Sequence, residues 1–108
     1  MTTKAKSICV VENTSVAGTR FVPDMADIAK TYRTGERFSL VRDAQNPHDA
    51  WAIEVHDGAG RRVGYVSCEC NEFVARLIDG GKSVEGRLES MEQIGTWTRL
   101  LMGVHLND

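Results

Sequence analysis

The stretch from Leu40 to Val66, LVRDAQNPHDAWAIEVHDGAGRRVGYV, restricts the possible folds of this chain more than any other. Apolar and polar residues alternate within it around two turn signals, Asn46-Pro47-His48-Asp49 and Asp57-Gly58-Ala59-Gly60. A period of two sends successive side chains to opposite faces, which is the pattern of half-buried strands and not of a helix. Asn, Asp and Gly reach turn conformations that other residues resist, and Pro fixes its own φ. Strands joined by connections this short pair antiparallel, because a parallel partner needs a crossover of a dozen or more residues. Polar groups held in the turn Asn46–Asp49 between two strands suggest a presented recognition surface.

The remaining segments extend the same pattern. Ser7 to Glu12 reads as a first strand, with Ile8 and Val10 on one face and Cys9 and Val11 on the other. The turn formers Asn13-Thr14-Ser15 follow, then a second extended piece from Val16 to Val22 that stops at Pro23. Met25, Ile28, Ala29 and Tyr32 repeat at helical spacing behind Pro23-Asp24, and Gly35 closes that segment. Strands are expected over Arg37–Arg42, with Phe38 and Leu40 inward, over Trp51–His56, with Trp51, Ile53 and Val55 together, and over Arg61–Val66. A second helix carries Cys70, Phe73, Val74, Leu77 and Ile78 as its apolar face, with Ser67 as N-cap and Gly80-Gly81 as the stop. Val84, Gly86 and Leu88, then Leu100, Met102, Val104 and Leu106, mark the closing strands. No linker or repeat divides the chain, so residues 1–108 form one domain with a frayed start over residues 1–6. The fold class is mainly β (α+β): six or seven strands and two short helices in a small, strongly bent sheet or barrel.

A formal net charge of −2 excludes a surface that attracts nucleic acid or anionic membrane as a whole. The distribution is uneven. Lys30, Arg33, Arg37 and Arg42 stand against Glu36 alone, which is either a solvated face or a basic rim beside a site, whereas nine acids face six bases from Trp51 onward. The apolar run at residues 8–11 is too short for a signal segment, and three cysteines do not make a disulfide framework. The chain therefore reads as a cytoplasmic protein with no membrane partner.

Most catalytic chemistry is poorly supported. Cys68 and Cys70 lack the two-to-four-residue gap of zinc knuckles and read as buried structural thiols, so neither metal nor cofactor is expected. No nucleophile elbow or phosphate-cradling glycine pattern is present, and the chain is read as a non-enzyme. Asp43 and Asp49 are expected to hold the central turn by bonding backbone N–H groups. Trp51 and Tyr65 read as core in preference to ligand-stacking residues, and Trp97 fits either role. Arg20-Phe21 is either a surface Arg beside a core Phe or a guanidinium and ring that hold a phosphate and stack on a base.

The ordered set Val16-Ala17-Gly18-Thr19-Arg20-Phe21, Leu40-Val41-Arg42-Asp43, Asn46-Pro47-His48-Asp49, Ala52-Ile53-Glu54-Val55 and Gly60-Arg61-Arg62-Val63-Gly64-Tyr65-Val66 resembles the HIRAN domain. That resemblance implies an OB-like β-barrel of about six strands with two helices. Such domains occur in Swi/Snf-type DNA translocases of post-replication repair and as solitary or fused modules in bacteria and phages. It further implies binding of single-stranded DNA at the 3′-hydroxyl end. By that likeness Arg20 and Phe21 contact terminal phosphates and stack on a base. Asn46 and Asp49 lie at the strand end, with Asp49 accepting from the 3′-OH, and Pro47 shapes the turn. Four departures weaken the match: His48 stands for a stacking Tyr, Phe21 for Tyr, Cys68 near a phosphate-contacting Lys, and Trp97 for another stacking aromatic. They leave open an alternative, a protein-interaction module that recruits a nuclease or helicase.

Overall fold

Why the chain closes on itself follows from its six strands, each of which finds two antiparallel neighbours in a computed structural model that describes residues 7–107. The expected frayed start, residues 1–6, lies outside the described residues. In chain order the elements are β1 (Ser7–Ala17), a 3₁₀ turn (Thr19–Phe21), α1 (Met25–Ala29), β2 (Arg37–Arg42), β3 (Ile53–His56), β4 (Arg62–Val66), α2 (Asn71–Asp79), β5 (Val84–Ile94) and β6 (Trp97–Asn107). The strand order is β1-β4-β3-β2-β5-β6, and β6 returns to β1 to complete an OB-like barrel. Among the described residues no helix is long and apolar enough to cross a membrane.

The alternation in Leu40–Val66 produces what it predicts. Leu40 pairs with Val55 and Arg42 with Ile53 across β2 and β3, and Glu54 pairs with Tyr65 across β3 and β4. Phe38, Ile53, Val55, Val63, Leu88, Leu100, Met102 and Val104 fill the interior, each almost fully buried. Gly86 is required by this packing: a Cβ there would lie 2.8 Å from Met102 Sδ and 3.3 Å from Phe38 Cβ. β3 begins at Ile53 and leaves Trp51 in the preceding loop, so the predicted strand is two residues too long. Trp51 is half-buried, with the Arg76 and Arg42 guanidinium carbons 4.9 and 5.9 Å from its ring centroid.

The first part of the chain departs from expectation. Asn13-Thr14-Ser15 does not reverse the chain; β1 runs straight through it. Register shifts between Cys9 and Val11 and between Val11 and Thr14, with Asn13 at φ 52°, mark bulges that bend one long strand. The residues read as a turn therefore supply curvature, which barrel closure demands. The second extended piece, Val16–Val22, ends as a strand at Ala17. Gly18, at φ 82°, turns the chain into the 3₁₀ segment, where Thr19 is buried and its hydroxyl donates to the Thr98 carbonyl at 2.6 Å.

α1 buries Met25 and Ala29, with Tyr32 buried just beyond it, as their spacing predicts. The Tyr32 hydroxyl donates to buried Asp57 at 2.6 Å and so fastens the end of this segment to the β3–β4 hairpin. α2 is capped by Cys70 and not by Ser67, whose hydroxyl instead accepts from Glu69 N–H in the turn ahead of the helix. Its buried residues are Asn71, Val74 and Ala75; Phe73 points outward, half exposed. β5 and β6 run beyond the barrel. Because β2 pairs with β5 only over Glu85–Arg87 and β1 pairs with β6 no further than Leu101, residues 90–100 form a two-stranded ribbon, whose Thr98 and Leu100 still turn into the buried interior.

Candidate functional site

Asn46 is the hub of the turn that the sequence singles out. Its Oδ1 accepts from the N–H groups of His48 at 2.8 Å and Asp49 at 3.0 Å, and its Nδ2 donates to Asp43 Oδ2 at 3.0 Å. Neither arrangement survives an amide flip, so the side chain has one orientation. Asp49 Oδ1 accepts from Trp51 N–H at 2.9 Å, as expected, and Oδ2 accepts from buried Asn71 Nδ2 at 2.8 Å. Asp43 differs: its carboxylate is bonded by the Asn46 amide and not by a backbone N–H. Each Asp49 oxygen thus carries one bond and keeps lone-pair capacity for a further donor. The carboxylate is aimed by its own loop and by α2 before any ligand arrives.

Two hollows meet beside this turn. One, of about 340 Å³, is walled by Asn46, His48, Asp49 and Cys68 and floored by Ala17, Ala52 and Tyr65. The other, of about 410 Å³, lies between Phe21, Pro23, Arg62 and Gly64 and shares Ala17 and Tyr65 with the first. Ala17 and Tyr65 are cross-strand partners, so the joint between the hollows is the β1–β4 pairing itself. That pairing is close: a Cβ on Gly64 would fall 2.3 Å from the Ala17 carbonyl oxygen. The two adjoining hollows, taken together as a groove, extend from Phe21 to Asp49.

Phe21 is 83% exposed, which overturns the reading of it as a core ring and leaves a bare aromatic face at the mouth of the groove. Arg20 does not line the groove. It borders a third hollow of about 320 Å³ with Asp24, Asp27, Thr96 and Thr98, joined to Phe21's hollow through Val22, and forms no ion pair among the described residues. Trp97 borders none of these three hollows, although Thr96 and Thr98 on either side of it border the third. Cys68 is exposed in the groove wall, contrary to its reading as a buried thiol, whereas half-buried Cys70 meets Thr14, with Sγ 3.5 Å from Oγ1.

Three of the four cations of the basic rim form ion pairs, and Arg33 forms none among the described residues. Arg42 donates to both carboxylate oxygens of Asp79, at 3.0 and 3.2 Å, which holds that carboxyl below its ordinary value. Arg37 meets Glu85 at 3.5 Å and Lys30 meets Asp27 at 3.4 Å. The cation that does face the groove, Arg62, was given no role from sequence. Its guanidinium carbon lies 5.5 Å from the Tyr65 ring centroid, and Nη1 donates to the Tyr65 hydroxyl at 3.2 Å. Simple alternation sends residues 62 and 65 to opposite faces. Between β3 and β4, however, Val55 pairs with Gly64 and His56 with Arg62, so Val63 is an extra residue that turns Arg62 toward Tyr65.

No match is found among curated proteins. Among solved structures, a protein from Lactobacillus plantarum shares 28% identity at a TM-score of 0.76, over 95% of this chain and 100% of that one. The crystal structure of the HIRAN domain of human HLTF shares 23% identity at a TM-score of 0.70, over 94% of this chain and 80% of that one. The same human domain, solved by NMR in its DNA-bound conformation, shares 24% identity at a TM-score of 0.61, over 95% of this chain and 81% of that one. The sequence itself matches the HIRAN domain over residues 11–106, a span that runs from within β1 almost to the end of β6. The chain belongs to the HIRAN domain family.

Proposed function

We propose that this HIRAN domain is a non-enzymatic module that binds single-stranded DNA, takes the 3′-hydroxyl end at the Asn46–Asp49 turn, and serves DNA repair or processing. The observation that carries the reading is the pair of adjoining hollows, with an exposed Phe21 at one end and the oriented Asp49 carboxylate at the other. The DNA-bound conformation recorded for the human HLTF domain supports it by family. A base stacks on Phe21 for roughly 1–3 kcal/mol. The strand then passes over Ala17 and Tyr65, and its terminal hydroxyl donates to Asp49. His48 borders the last nucleotide, and Arg20, beyond Phe21, takes a phosphate on the incoming side.

End selectivity follows from charge. A 3′-OH gives Asp49 the donor it can still accept, whereas a 3′-phosphate brings negative charge against a carboxylate in a groove partly shielded from water. Fluorescence anisotropy with short single strands that differ only in the 3′ terminus tests this. Tighter binding of the 3′-OH strand is expected; equal affinities would remove end recognition, and no binding at low salt would remove the whole reading. Trp97→Ala in the same assay reports whether the ribbon contributes.

A second reading, docking of a helicase or nuclease partner, is favoured by one feature. Met91 and Ile94 are 41% and 45% exposed on the ribbon, and Met91 borders a hollow of about 310 Å³ against Ala26 and Ala29.

A further inference from the structure

We infer that Arg62 is the phosphate-binding cation inside the groove, seated on the Tyr65 ring and held in check by Glu54; this rests on the single-strand reading above. Among the described residues it is the one Lys or Arg that lines either of the two joined hollows. A strand running from Phe21 to Asp49 crosses the floor at Tyr65, so its backbone passes Arg62.

The side chain is held ready for an anion. The Tyr65 ring supports one face of the guanidinium at 5.5 Å, and a single hydrogen bond, Nη1 to the Tyr65 hydroxyl at 3.2 Å, fixes its direction. No other hydrogen bond of this guanidinium forms among the described residues, which leaves Nε and Nη2 for the forked geometry that suits a phosphate. Pre-placement lowers the ordering cost of binding. Glu54 is the counterweight. One of its oxygens is bonded to His56 Nε2 at 2.7 Å, and the other stands 3.7 Å from Arg62 Nη1, too far for a hydrogen bond but close enough to compete with a phosphate.

The test measures affinity for a labelled oligo-dT strand of about ten nucleotides across a salt series, for the wild type and five variants. Arg62→Gln is expected to weaken binding about tenfold, the scale of one charge-assisted contact. It should also flatten the dependence of log K on log salt by about 0.7, the value for one phosphate on a single strand. Arg62→Lys should retain the wild-type slope. Glu54→Gln should tighten binding about threefold by removing a partly exposed competing charge, and should lose that effect when combined with Arg62→Gln. An Arg62 that only props Tyr65 would change affinity and leave the slope alone, which overturns the inference. A wild type that binds, is weakened by Phe21→Ala, and is indifferent to Arg62→Gln overturns it while sparing the functional reading. A wild type that does not bind overturns both.

Discussion

An aromatic ring left 83% exposed gives up the burial that a core position would supply, and at Phe21 nothing in the fold repays that loss. Phe21→Ala is therefore expected to change unfolding stability by less than about 0.5 kcal/mol, while weakening single-strand binding by about 1–3 kcal/mol. Urea titration and anisotropy on the same variant separate the two effects. Asp57 is the opposite case. Burial pushes its carboxyl upward, but hydrogen bonds from Tyr32, from the Arg61 backbone and side chain, and from Ala59 N–H outweigh that and hold it below its ordinary value. Its folded pKa lies below the unfolded one, so its stabilisation is fully present above the unfolded value, about 3.9, and is lost as pH falls through the folded value. Asp57→Asn should cost about 2–3 kcal/mol at neutral pH. The gap to wild type should narrow on acidification below pH ~4, as followed by thermal unfolding across pH. A gap that widened in acid would contradict this.

Among the elements, β4 carries the most consequence for its length. Gly64 lets it approach β1 so closely that a Cβ would meet the Ala17 carbonyl oxygen at 2.3 Å and Val16 Cγ1 at 2.7 Å. Gly64→Ala should cost about 2–3 kcal/mol through forced separation of the strands. It should also weaken DNA binding beyond that loss, because Ala17 and Tyr65 floor both hollows; denaturation midpoints and anisotropy measure the two parts. β2, β3 and β4 were readable in the sequence, since strict alternation bounded by Asn-Pro and Asp-Gly leaves few other structures. β1 was readable only in part, over Ser7–Glu12. Its second bulge uses Asn13, a residue type that also makes turns, and only the partner strand β6 decides between bending and reversing. The face of α2 was misread by counting Phe73 as core, because the barrel wall accepts Asn71 and Ala75 instead and leaves the larger ring outside. The bulge at Val63 that brings Arg62 to Tyr65 is likewise a property of a pair of strands, absent from either alone.

At the scale of the whole molecule, closure of β6 onto β1 joins residues distant in sequence. Thr19 is fixed to Thr98, and the joint of Ala17 with Tyr65 sets Phe21 and the Asn46–Asp49 turn along one groove. The sequence made the turn and Phe21 recognisable as site candidates because their residue types are unusual for plain strands. Arg20 borders the third hollow and Trp97 none of the three, because neighbours in sequence on a 3₁₀ turn or a ribbon point to different sides. A net charge of −2 makes affinity depend on the few cations near the groove, so binding should fall steeply with salt. The most direct measurement is a titration of the ¹⁵N-labelled domain with a short 3′-OH single strand, followed by two-dimensional ¹H–¹⁵N NMR. The expected result is saturable shifts concentrated at Gly18, Phe21, His48, Asp49, Arg62 and Tyr65. Shifts confined to the ribbon or to the outer face of α2, or none at low salt, would contradict the assignment of this groove to DNA.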